Sequence, residues 1–100
     1  MAAGARSLRI SDGSGPAFVA AEGDHVYARN VSLRELIGHS HGIRVRDVMG
    51  RYRWLDQPRY DVELRSADGM ADPRKLVAAL LSEQFNIELI EQPFVAAHAL

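Results

Sequence analysis

His39 and His41, two residues apart, could do chemistry, because paired imidazoles are common metal ligands. On a helix, positions i and i+2 face different directions, so one ion takes both only where the helix has unravelled. With Asp61 as a carboxylate partner, these residues define an alternative reading, a small metal-dependent hydrolase built on His39, His41 and Asp61. The plainer reading is a pair of helix-terminal imidazoles beside free carbonyls. His25 and His98 stand apart, and no HExxH pattern occurs. The chain has no cysteine, which excludes thiolate zinc sites, disulfides and cysteine nucleophiles. Ser32, Ser40, Ser66 and Ser82 lack the Gly-x-Ser-x-Gly elbow, and Gly13-Ser14-Gly15 precedes a strand rather than the helix a phosphate cradle needs. Asp61 and Glu63 read as ordinary exposed like charges on one strand face. No nucleophile, base and oxyanion donor assemble, so the chain is expected to be no enzyme and to carry no cofactor or metal.

Arginine supplies the other constellation. Arg44, Arg46, Arg51, Arg53 and Arg59 fall within sixteen residues, against only Asp47 and Asp56, and they surround Tyr52 and Trp54. Guanidinium groups among aromatic rings can hold a carboxylate or phosphate, or stack on a base. The plainer alternative is a solvated face, with Trp54, the only tryptophan, capping the core between helices and sheet. By contrast, Leu76 to Leu100 carries Glu83, Glu88 and Glu91 and no lysine or arginine, a polarity that could orient a partner. Over 100 residues the formal charge is −1, which excludes a strongly basic nucleic-acid module. At 47% hydrophobic and 25% charged, the chain has the composition of one folded domain. No apolar run is long enough to insert into a membrane.

Local pattern places these residues on elements. Residues 1–16 read as a flexible N-terminal segment with a short strand at Leu8 and Ile10, and residues 17–100 as a single α+β domain. Glu22-Gly23-Asp24 joins two strands as a hairpin. Ser32 and Glu35 form a capping box, Val31 and Leu36 a hydrophobic staple, and Gly42 ends the helix between them. Ile43 to Val48 is expected to be a strand ending at Met49-Gly50, and residues 51–58 a structured connection. Tyr60, Val62 and Leu64 alternate with charges as a half-buried strand. Ser66 to Ala71 reads as a loop, and Asp72-Pro73 opens a second helix whose stripe is Leu76, Val77, Leu80, Leu81 and Phe85. Asn86 ends it, Ile87 and Leu89 begin a strand, Pro93 marks a turn, and Phe94 to Leu100 is the last strand. The expected fold is α+β, two helices on one face of a mostly antiparallel or mixed sheet of about five or six strands.

Three blocks placed this way, Tyr27 to Ile37, Trp54-Leu55-Asp56 with Arg59 to Glu63, and Leu80 to Phe85, resemble the Soli-type bacterial domain family of unknown function. Leu8 to Ser11 resembles that family's opening strand, so the resemblance covers nearly the whole chain. Ser40-His41-Gly42 stands where the family commonly has Ala-Tyr-Gly. The family consists mainly of exported acidobacterial-type proteins, and its domain is also appended to BlaR-like peptidase sensors. The resemblance therefore implies a periplasmic or secreted setting, although no export signal is present and the chain stops inside its last expected strand, as an excised domain or mature fragment would. The order of elements is also similar to the small docking domains of secretins and TonB-dependent receptors, a likeness of topology only.

Together these readings predict a non-catalytic binding domain of a cell-envelope protein that takes a peptide or protein partner by edge-strand addition. Phe94 to Leu100 or Ile43 to Val48 would be the edge, and Arg44, Arg46, Arg53, Trp54, Phe94 and Val95 the contacts. No nucleic acid is expected, and a homodimer through the last strand is the further possibility.

Overall fold

Alternating apolar residues build most of the structure, a computed structural model that describes residues 6–66, 72–91 and 94–100. Strands β1 (Arg6–Ile10), β2 (Phe18–Glu22), β3 (His25–Val31) and β4 (Tyr60–Arg65) form one antiparallel sheet in the order β1-β4-β3-β2. Strands β5 (Ile87–Ile90) and β6 (Ala96–Ala99) form a separate antiparallel hairpin. Helices α1 (Leu33–His41) and α2 (Pro73–Leu80) pack with the strands, and α2 continues into a π-helical turn at Leu81–Phe85. The α+β class and six strands are as expected, divided four and two. The short N-terminal strand is a full edge of the main sheet, paired with β4 from Arg6↔Leu64 to Ile10↔Tyr60. The Pro93 turn and most of the Ser66–Ala71 loop lie outside the described residues. Among those described, no helix is long and apolar enough to cross a membrane.

The start of α1 follows from its sequence. Ser32 Oγ accepts from the Glu35 amide at 3.1 Å, and Glu35 Oε1 accepts from the Ser32 amide at 2.9 Å, so both ends of the capping box close. Gly42 is left-handed at φ 68°, and the Ile43 amide donates to Gly38 O. Leu33, Leu36 and Ile37 are fully buried with Val26, Ala28, Val31, Val62 and Leu64, which joins α1 to the inner face of the sheet. Each such leucine contributes about 1.5–3 kcal/mol by leaving water. Asp72 caps α2, Pro73 opens it, and Val77, Leu80 and Leu81 bury the expected stripe. Asn86 ends the π turn at φ 59°.

The expected strand at Ile43 to Val48 is a correction. Val45–Asp47 is a 3₁₀ turn, with Asp47 N–H donating to Arg44 O and Val48 N–H to Val45 O. The physical reason is the tight return after Gly42, which lays the chain across Gly38, where a Cβ would stand 3.2 Å from Val45 Cα. The Arg44–Asp47 ion pair, 2.8 Å, closes the same turn. Met49 then makes a parallel bridge to Ala96. A second 3₁₀ turn, Arg53–Leu55, drives Leu55 into the core.

Candidate functional site

Which strand borders are open follows from hydrogen-bond parity, because only alternate residues of an antiparallel strand bond to a given neighbour. Met49 N–H donates to Val95 O, and Ala97 N–H donates to Met49 O, while β5 occupies the other side of β6. The last strand is therefore flanked on both sides over its first half, and Val95 is buried with its carbonyl engaged. Of the borders named from sequence, Ile43 to Val48 is thus corrected as a turn, and Phe94 to Leu100 is covered by Met49 over its first half only. Phe94 remains half exposed beside it.

Among the described residues, the open borders belong to the main sheet. Ser66 N–H donates to Asp24 O, which fixes the β3–β4 parity so that Val26 and Ala28 bond toward β4. His25, Tyr27 and Arg29 consequently bond toward β2, opposite Glu22, Ala20 and Phe18. The backbone groups of Val19 and Ala21 point away from the sheet, with no partner among the described residues. On the other border, Ser11 N–H donates to Arg59 O, so Leu8 and Ile10 point outward from β1. β1 is charged, since Arg6 pairs with Glu83 and Arg9 Nε donates to Asp61 Oδ2 at 3.1 Å. Ala17 to Ala21 carries no charge at all.

Asp61 is a further correction. It is buried rather than an ordinary exposed charge, because β3 bulges between Ala28 and Val31 and turns Asn30 to φ 52°. The Asn30 amide thereby leaves the ladder and donates to Asp61 Oδ1 at 3.0 Å. That bond, followed by those from Arg9, holds the Asp61 carboxyl below its ordinary range, against the opposing effect of burial. Arg59 Nε donates to Asn30 O at 2.9 Å, and the same guanidinium reaches Glu35 Oε1 at 2.6 Å. One polar chain thus ties the bulge to the cap of α1.

The histidines lie elsewhere. His41 contacts Glu91 Oε1 through Nε2 at 2.9 Å and Ile37 O through Nδ1 at 3.0 Å. His39 is exposed, and Asp61 is bonded to Arg9 and Asn30, so the structure does not join His39, His41 and Asp61 through shared partners. Among the described residues no group of three or more histidines, aspartates and glutamates could hold a metal.

The arginine segment divides sharply. Arg34, which the sequence reading passed over, donates to Val48 O at 2.6 Å, Gly50 O at 2.8 Å and Asp56 Oδ1 at 2.8 Å. It clamps the segment from residue 48 to 56 onto α1. A positive φ at Gly50 and a space that leaves a Cβ only 2.8 Å from Leu55 Cδ1 hold the same segment close. Trp54 is half-buried at the margin of the core and stacks on Tyr52, centroids 4.6 Å apart and planes 14° from parallel. With Arg53, Gln57 and Pro58 it lines an open cavity of about 610 Å³. Arg46 is exposed and Arg44 is committed to Asp47. Compared with protein-family models, curated proteins and solved structures, the chain has no significant match.

Proposed function

We propose that this chain is a non-catalytic binding domain, of the Soli type and set in the bacterial periplasm or secreted, that docks an extended protein segment along β2. The observation that supports this is a five-residue border whose Val19 and Ala21 backbone groups face outward and whose single charge is Glu22 at its end, unlike the charged β1. Side chains along the border give the selectivity. Ala20 is small and lies beside Tyr27, leaving room for a large apolar side chain from the added strand. Glu22 is exposed and has no ion pair among the described residues, which favours a lysine or arginine next to it. Phe18 is exposed, edge-on to Tyr27 with centroids 6.0 Å apart, and favours a further apolar contact.

The test is selection from a displayed library of random peptides against the wild type and against Ala21→Pro. Residue 21 directs its N–H away from β3, so proline leaves the ladder whole and blocks an incoming strand. Enrichment of alternating apolar sequences with a basic residue by the wild type alone supports the reading. Equal enrichment by both proteins, or none by either, refutes it.

A further inference from the structure

We propose that the cavity beside Trp54 is a second docking site, for an acidic, proline-containing segment of another protein bound in the polyproline conformation. It is lined by Arg53, Trp54, Gln57 and Pro58 and so stands independently of β2. The ledge is held in place before any partner arrives. Leu55 is fully buried beneath it, and the Arg34 guanidinium fixes the carbonyls of Val48 and Gly50 and the carboxylate of Asp56. Little ordering is therefore needed on binding.

The cavity wall is mainly apolar, with Trp54 and Pro58 beside the polar ends of Arg53 and Gln57. Rigid pyrrolidine rings fit against aromatic walls of this kind, and a polyproline helix repeats every three residues, so prolines share one face. Charge selects the rest of the ligand. Arg34, Arg44 and Arg59 are neutralised by Asp56, Asp47 and Glu35. Arg46, Arg51 and Arg53 are exposed and have no ion pair among the described residues. Of these only Arg53 lines the hollow, and its unneutralised guanidinium suits a carboxylate spaced between prolines. A nucleic acid is the poorer fit, because the whole chain carries net charge −1 and the wall offers few polar groups.

Trp54 is the only tryptophan, so its emission reports occupancy without a label. A synthetic peptide of Pro-Pro-Glu repeats is titrated into the protein, beside Pro-Pro-Lys repeats, Gly-Gly-Glu repeats and oligodeoxythymidylate. The expected result is a saturable change with Pro-Pro-Glu alone, with binding about tenfold weaker in Arg53→Glu, the loss of one charge-assisted contact. Arg53 is exposed, so that variant keeps its fold, checked by circular dichroism. No change with Pro-Pro-Glu overturns the proposal, as does an equal response to Pro-Pro-Lys, Gly-Gly-Glu or the oligonucleotide. Ala21→Pro leaves this titration unchanged, which separates its failure from that of docking on β2.

Discussion

The two borders of the main sheet are alike in geometry and opposite in chemistry. β1 and β2 are each five residues long, and each turns alternate backbone groups to the outside. β1 carries Arg6 bound to Glu83 and Arg9 bound to Asp61, and these charges obstruct a strand arriving beside it. β2 has only alanine, phenylalanine and valine before Glu22. Geometry alone therefore does not make a docking edge. What matters is whether desolvating an edge also means burying charge, which costs far more than burying an amide about to be bonded.

Proline on the two registers of β2 gives the largest contrast. Ala20→Pro removes an N–H bonded toward Tyr27, and is expected to destabilise by about 2–4 kcal/mol from the lost bond and backbone strain. Ala21→Pro, one residue on, keeps the stability of the wild type in urea unfolding while losing the partner. The same outward-facing substitution on β1, Ile10→Pro, is expected to leave partner binding as it was. A loss of binding there would erase the distinction between the borders.

Ser32→Ala acts on both borders equally. Removing the cap oxygen is expected to lower unfolding free energy by about 1 kcal/mol, without changing affinity for a β2 partner. Acid gives a subtler and one-sided test. Asp61 titrates lower in the folded protein than in the unfolded chain, so its contribution is complete above the unfolded carboxylate value of about 4 and is lost as pH falls through the lower folded value. Urea unfolding from neutral to acid pH is expected to show a shallower acid decline in Asp61→Asn than in the wild type. The tether between Arg9 and Asp61 is released in acid, whereas β2 contains nothing before Glu22 that titrates.

Much of the frame is legible in the chain because local chemistry sets it. Ser32 with Glu35, Gly42, Asp72-Pro73 and Asn86 each satisfy orphaned backbone groups or adopt a conformation few other residues accept. Ile43 and Val45 mislead because two alternating residues are too few to outweigh the return across Gly38. Asp61 is misread for a different reason. Its burial depends on a bulge at Asn30, thirty-one residues earlier, and such a bulge has no short-range pattern. Arg34 reaches carbonyls fourteen and sixteen residues on, a pairing set by tertiary packing alone. The place of β2 at the edge of the sheet is equally hidden, since the chain order does not reveal that β4 inserts between β1 and β3.

Residue-resolved amide exchange, recorded on the wild type with and without a peptide enriched on it, probes docking on β2 most directly. The Val19 and Ala21 amides exchange freely in the unbound protein and become protected when the peptide is present, while those of Leu8 and Ile10 are unchanged. Protection that falls on Leu8 and Ile10 instead, or leaves Val19 and Ala21 exchanging as before, contradicts it.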